Sequence, residues 1–121
     1  MSTILVVDDD KSLRRLYKAE LEADGYEVIL AENGQQAIEL AAARSPDLVV
    51  MDLRMPEMDG LEAMARLLQD SSSRPVILNS AYSSFQENFL AWAADGYILK
   101  SADLNPLKEK IRAALHTQPS A

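Results

Sequence analysis

The chain has 121 residues, of which 48% are hydrophobic and 26% charged, a balance typical of one globular domain that excludes extended disorder. Nineteen acidic residues against 12 basic ones give a net charge of −7, which disfavours direct binding of nucleic acid through the overall field. The chain has no cysteine and a single histidine, His116, which excludes cysteine-based zinc sites, multi-histidine metal sites and Ser-His-Asp hydrolases.

The apolar segments of the chain are all short. None approaches the roughly 18 residues that a membrane span needs, and no basic segment precedes the first apolar run. We therefore expect a cytoplasmic protein without membrane insertion. The chain also lacks an internal linker or low-complexity tract. We predict one domain over residues 1–121, with a core over about residues 3–116 and a tail over residues 117–121.

Five short apolar runs are predicted strands, because they are too short for helices and are apolar almost throughout. They are Thr3–Val7, Glu27–Ala31, Leu48–Met51, Val76–Leu78 and Gly96–Leu99. Segments with helical spacing follow each of them. This alternation predicts an α/β fold, with a parallel sheet, right-handed crossovers and helices on both faces of the sheet.

The first predicted helix begins at Lys11 with Asp10 as its cap and ends at Asp24–Gly25. Its apolar face is formed by Leu13, Leu16, Tyr17 and Leu21. Arg14 falls on the opposite, solvent side of this pattern.

The other predicted helices are marked by similar signals at their ends. Asn33–Gly34 is the predicted cap of the second helix, and Ser45–Pro46 ends it. Further caps are predicted at Asp59–Gly60 for the third helix, Ser83 or Ser84 for the fourth, and Ser101 or Asp103 for the fifth.

Polar residues follow the predicted strands at one edge of the sheet. They are Asp8, Asp9 and Asp10 after the first strand, Asp52 after the third, Asn79 and Ser80 after the fourth, and Lys100 after the fifth. Ligands of open parallel sheets bind outside the carboxyl ends of the strands. Each residue alone is explained by capping or solvation, but their convergence favours a site. Clustered carboxylates repel one another, and one lysine is too little to neutralise them, so we expect a divalent cation with oxygen ligands, Mg²⁺.

These motifs resemble the receiver domain of two-component response regulators over essentially the whole chain, from Ile4 to about Leu115. The resemblance is carried by Ile4–Asp10, the segment Asp52–Gly60, Ser80–Ala81 and Tyr97–Lys100. It implies a flavodoxin-like, doubly wound, five-stranded parallel sheet of (βα)5 type, with strand order 2-1-3-4-5.

The resemblance also implies the roles of the residues at the site. Asp52 corresponds to the phosphoacceptor, which receives a phosphoryl group from a sensor histidine kinase or a phosphotransfer protein. The implied Mg²⁺ ligands are Asp9, Asp52 and the backbone carbonyl of Arg54, with Asp8 acting through water.

Three further residues correspond to the phosphoryl-binding and switch positions of the family: Ser80, Lys100 and Tyr97. The implied output is a changed protein-interaction face, formed by the fourth helix, the fifth strand and the fifth helix. Such a protein is a signalling switch and not an enzyme, beyond assisting its own phosphorylation and dephosphorylation.

Three other functions compete with this interpretation. A phosphatase of the haloacid dehalogenase type needs a second Asp two residues after its nucleophile, where this chain has Arg54. A flavodoxin-like FMN binder needs a phosphate-cradling first loop, whereas Asp8–Asp10 repels phosphate. The third alternative is a degenerate receiver that acts as an unphosphorylated binding module. The complete set of Asp9, Asp52, Ser80 and Lys100 argues against this alternative.

The chain departs from the family pattern after Lys100, where Ser101 replaces the usual proline. Because a cis bond before a non-proline residue costs about 3 kcal/mol, we predict a trans Lys100–Ser101 peptide. The segment from Ser80 to Tyr97 is about two residues shorter than in common receivers, which predicts a short fourth helix. Trp92 is predicted to lie in the core, and exposure would favour a partner site.

Overall fold

The computed structural model describes residues 2–51, 75–80, 96–99 and 103–117. The strands are β1 (Thr3–Val7), β2 (Glu27–Ala31), β3 (Leu48–Met51), β4 (Val76–Ser80) and β5 (Gly96–Leu99). The helices within the described ranges are α1 (Lys11–Ala23), α2 (Gly34–Arg44) and α3 (Asn105–Thr117).

The five strands form one parallel sheet in the order β2-β1-β3-β4-β5. This confirms the predicted fold class and strand order. Four of the five strands have the predicted bounds. Strand β4 is two residues longer than predicted, because the backbones of Asn79 and Ser80 pair with Ile98 and Leu99 of β5. Strand pairing is a backbone interaction, so the polar side chains of these residues do not end the strand.

Helices α1 and α3 cover one face of the sheet. Tyr17 and Leu21 of α1 and Leu107 and Ile111 of α3 pack with alternate residues of the strands. The strand residues of this cluster are Ile4, Val6, Val28, Leu48, Val50 and Ile77. The intervening strand residues point to the opposite face, where α2 contacts β1 and β2 and buries Ala37 and Ala41. Helices on both faces explain why β3 is apolar throughout and β1 is apolar after Thr3.

The buried face of α1 is rotated from the one that the sequence pattern predicts. Arg14, Tyr17 and Leu21 are buried, whereas Leu16 is 43% exposed. The prediction was wrong in placing Leu16 inward and Arg14 outward. The true buried stripe has the spacing i, i+3 and i+7, and a charged residue occupies its first position.

The predicted ends of α1 and α2 are confirmed. Asp10 and Asn33 are the N-caps, and each side chain accepts hydrogen bonds from the first turn of its helix. Gly25, with a φ of 95°, follows α1, and Ser45, with a φ of 46°, caps the end of α2. Both helices therefore end in the positive-φ region that typically terminates helices.

Helix α3 bears out one of its two predicted capping residues, Asp103, and runs past its predicted end. Asp103 accepts a hydrogen bond from the backbone N–H of Asn105 at 3.0 Å, whereas the carbonyl of Leu104 accepts the first helical bond, from Lys108. At its other end the helix continues through Thr117, one residue into the stretch predicted as a tail. None of the helices in the described ranges is long and apolar enough to span a membrane.

Candidate functional site at the carboxyl edge of the sheet

The register of the sheet aligns the strand ends that precede the acidic residues. Val7, the last residue of β1, pairs with Met51, the last residue of β3. Asp8 and Asp52 are the next residues along the chain from these two partners. On the other side of β3, Met51 pairs with Leu78 of β4, and Ser80 pairs with Leu99 of β5. Of the predicted site residues, Asp8, Asp9, Asp52, Ser80 and Lys100 thus follow or end adjacent strands at one edge of the sheet.

Asp8 is only 1% exposed and is held through its backbone and its carboxylate. Its N–H donates to the carbonyl of Ala31 at 3.2 Å, which continues the β1–β2 pairing by one residue. Its Oδ1 accepts a hydrogen bond from the N–H of Asp10 at 2.9 Å. The orientation of this buried carboxylate is therefore fixed by the loop that follows β1.

Asp10 joins the acidic loop to α1. Its Oδ1 accepts from the N–H groups of Ser12 at 2.9 Å and Leu13 at 3.3 Å. Its own N–H donates to Asp8. The loop is thus two successive side-chain turns that end in a helix cap, and the positive end of the α1 dipole lies beside the carboxylates.

Asp9 lies between these two residues and is exposed. Within the described residues it makes no hydrogen bond or ion pair. An exposed carboxylate beside an immobilised, buried one has the oxygen chemistry that Mg²⁺ prefers. The described part of the predicted metal site therefore fits this ion.

The remainder of the predicted site lies outside the described residues. Within the described ranges, no group of three or more acidic, histidine or cysteine side chains is arranged to hold a metal ion. The predicted ligands Asp52 and Arg54 are not in those ranges, and neither is Lys100. Ser80 and Tyr97 are described as strand backbone only.

Several other predictions also fall outside the described residues. They are the caps at Asp59–Gly60 and Ser83 or Ser84, the short fourth helix, the environment of Trp92, and the trans Lys100–Ser101 peptide.

A basic residue that the sequence pattern placed in solvent also belongs to the site. Nη1 of Arg14 donates to the backbone carbonyl of Asp8 at 2.7 Å, and Nη2 lies 3.5 Å from Oε1 of Glu32. Glu32 directly follows β2, so Arg14 connects the ends of two strands. The only sequence signal for this contact is the i, i+3, i+7 spacing of Arg14 with Tyr17 and Leu21.

Comparison with known proteins gives a consistent result over nearly the whole chain. A family model described as the response regulator receiver domain matches residues 4–112. The regulatory protein AtoC of Escherichia coli is 37% identical over 120 residues, which cover 98% of this chain and 26% of AtoC. The response regulator ArlR of Staphylococcus haemolyticus is 36% identical over 121 residues, and the match spans 55% of its length. The chain thus spans about half or less of these relatives.

Solved structures with the same fold include the response regulator TrrA of Thermotoga maritima in complex with Mg²⁺–BeF. It has a TM-score of 0.92 and 39% identity, covering 94% of this chain and 99% of TrrA. The complex of TrrA with the histidine kinase ThkA gives a TM-score of 0.89 and 40% identity, covering 95% of this chain and 99% of that one.

Proposed function

The chain belongs to the response regulator receiver family, and on that basis we propose that Asp52 accepts a phosphoryl group from a histidine kinase or a phosphotransfer protein. The observation that carries the proposal is the alignment of Val7 with Met51, because Asp8–Asp9 and Asp52 directly follow these two residues. Since the carboxyl ends of neighbouring parallel strands lie at one edge, this alignment supports a site that brings the acidic loop and Asp52 together.

We propose Asp9, Asp52 and the carbonyl of Arg54 as the direct protein ligands of Mg²⁺, with Asp8 acting through water. The ion, when bound, neutralises charge on the phosphoryl oxygens. The likeness to TrrA, whose structure holds Mg²⁺–BeF, supports this assignment. The fixed carboxylate of Asp8 and the exposed carboxylate of Asp9 support it from the chain itself.

The phosphoryl transfer requires little covalent chemistry from the protein. A carboxylate oxygen of Asp52 forms a bond to phosphorus while the P–N bond to the donor imidazole breaks. The imidazole leaves with the electron pair and takes up a proton. Lys100 pairs with a phosphoryl oxygen, so the chain contributes positioning and charge.

The phosphorylated state is read out through Ser80 and Tyr97. The added phosphoryl group brings negative charge and acceptor oxygens, to which the Ser80 hydroxyl donates. Tyr97 then turns inward into the space that Ser80 leaves. This local event biases the face formed by the fourth helix, the fifth strand and the fifth helix towards a downstream protein partner.

The proposal makes the chain a cytoplasmic signalling domain. It catalyses no reaction beyond its own phosphorylation and dephosphorylation, and it contacts neither nucleic acid nor membrane directly. Its kinase partner is supported by the complex of TrrA with ThkA. The large residues Arg54 and Tyr82, two positions after Asp52 and Ser80, favour a long-lived phosphoryl group by hindering the attacking water.

The test is intact-protein mass spectrometry after incubation with a small phosphodonor and Mg²⁺. Wild type is expected to gain one acid-labile phosphoryl group, and Asp52→Asn is expected to gain none. Asp47→Asn is the matched control, because Asp47 is an exposed aspartate that follows α2 at the opposite edge of the sheet. Equal modification of wild type and Asp52→Asn, or no modification of wild type, would favour the unphosphorylated binding module.

A further inference from the structure

Arg14 occupies a position that the packing of α1 does not explain. Asp8 and Arg14 are the only buried polar or charged residues in the described part of the chain. They contact each other, through Nη1 of Arg14 and the carbonyl oxygen of Asp8. Burial of a guanidinium costs free energy unless its donors are satisfied, so an apolar side chain is the expected occupant of this helix position.

The contact fixes the main chain of the acidic loop. The Asp8 carbonyl belongs to the peptide that leads into Asp9, so a 2.7 Å charge-assisted bond to this oxygen restrains the direction in which Asp9 leaves the sheet. The same guanidinium reaches Glu32 at 3.5 Å. The backbone of Glu32 is in turn held by Gln36, whose Oε1 accepts its N–H at 2.9 Å. Arg14 thereby ties the acidic loop to the start of α2.

We infer that Arg14 is a positioning residue that holds Asp8 and Asp9 in the geometry that binds a divalent cation. The inference rests on the proposed function, and it adds a residue that acts through the backbone and touches neither metal nor phosphoryl group. Groups that orient metal ligands in this way change metal affinity by 10- to 100-fold when removed.

The direction of the change in Mg²⁺ affinity distinguishes a positioning role of Arg14 from a simple effect of its charge. Removal of any positive charge near a cation site strengthens cation binding by Coulomb's law. Loss of a positioning residue weakens it. Arg15 is the matched control, because it carries the same charge on the neighbouring, exposed position of α1.

The experiment is a Mg²⁺ titration of wild type, Arg14→Met and Arg15→Met, in which NMR of the backbone amides monitors binding. Arg14→Met is expected to raise the Kd for Mg²⁺ by about 10-fold or more. Arg15→Met is expected to leave the Kd unchanged or to lower it by less than about 2-fold. Unchanged or tighter binding by Arg14→Met, or equal weakening in both variants, overturns the inference. If Arg14→Met does not fold, Arg14→Lys, which loses the planar fork but keeps the charge, is compared with Arg15→Lys under the same criteria.

A second measurement on metal-free protein separates this inference from the proposed function. Hydrogen exchange of the Asp10 amide, which donates to Asp8, is expected to accelerate about 10-fold in Arg14→Met and to stay unchanged in Arg15→Met. The Leu5 amide in β1 reports global opening in each variant. Unaltered Asp10 exchange relative to Leu5 overturns the positioning role. If wild type does not bind Mg²⁺ but Asp10 exchange is accelerated in Arg14→Met, the metal assignment is wrong. In that case the conclusion that Arg14 restrains the acidic loop still holds.

Discussion

The two ends of β1 use aspartate in opposite ways. At the amino end, Asp47 and Thr3 form a reciprocal pair: the Thr3 N–H donates to Oδ2 of Asp47 at 2.7 Å, and the Asp47 N–H donates to the Thr3 carbonyl at 2.8 Å. At the carboxyl end, three consecutive aspartates follow the strand, and one of them, Asp8, is buried.

The difference separates a carboxylate that pairs with the sheet backbone from the cluster that we propose binds Mg²⁺. Asp47 satisfies a backbone donor that β1 leaves unpaired, and its charge remains in water. Asp8 and Asp10 satisfy donors of their own loop, but three adjacent negative charges repel one another. The carboxyl end therefore retains an electrostatic cost that a bound cation would relieve, whereas the amino end carries no such cost.

The largest expected effect is the response of each end to Mg²⁺. At a Mg²⁺ concentration ten times the Kd, the free energy of unfolding should rise by about 1.4 kcal/mol in wild type. Asp9→Ala should lose this gain, because it removes a direct ligand, and Asp47→Ala should keep it. Urea unfolding with and without Mg²⁺ at constant ionic strength measures the gain. A full Mg²⁺ response in Asp9→Ala would contradict the distinction between the two ends.

The next effect concerns the amino edge of the sheet, to which the ends of α1 and α2 return. Gly25 has a φ of 95°, and a Cβ there would meet nothing within 4 Å. Gly25→Ala should therefore lower the free energy of unfolding by about 1 kcal/mol through backbone strain alone. Ser45 has a φ of 46°, so Ser45→Gly should raise the free energy of unfolding. Both variants should respond to Mg²⁺ like wild type, and a weakened response in thermal or urea unfolding would show that the two ends are coupled.

The smallest effect comes from Lys108 of α3, which binds the end of α1. Its Nζ donates to Oε2 of Glu20 at 3.2 Å and lies 3.6 Å from Oδ2 of Asp24. The hydrogen bond with Glu20 and the negative charges of both carboxylates raise the pKa of Lys108 above its ordinary value of 10.5.

A raised pKa means that the folded protein holds this proton more tightly than the unfolded chain. The stabilisation is therefore complete below pH 10.5 and is lost as the pH rises through the higher folded-state pKa. In urea unfolding, the stability difference between wild type and Lys108→Met should stay constant up to about pH 10 and shrink above it. A difference that grows in this alkaline range would contradict the assignment.

The sequence was sufficient to predict the sheet, because its strands are short apolar runs bounded by polar or turn residues. The caps Asp10 and Asn33 were also predictable, since a side chain that accepts from its own helix is a local interaction. The end of β4 was not predictable, because the pairing of Asn79 and Ser80 depends on β5, which is distant in sequence.

The candidate site was predictable where it follows from strand order and was missed where it depends on a tertiary partner. The strand-end rule correctly placed Asp8 and Asp9 at the carboxyl edge, beside the strand that Asp52 follows. Arg14 was assigned to solvent, because a charged residue in a helix pattern faces water unless something buried binds it. The carbonyl of Asp8 is that partner, and only the folded backbone brings it within 2.7 Å.

The most direct test of the central claim is to identify the residue that carries the phosphoryl group. Borohydride reduces an aspartyl phosphate to homoserine, so treatment of the phosphorylated protein followed by peptide mass spectrometry locates the modified position. Our account predicts homoserine at position 52, and only in samples that received both phosphodonor and Mg²⁺. Homoserine at Asp8, Asp9 or Asp47, or none at any position in protein that has gained phosphoryl mass, would contradict it.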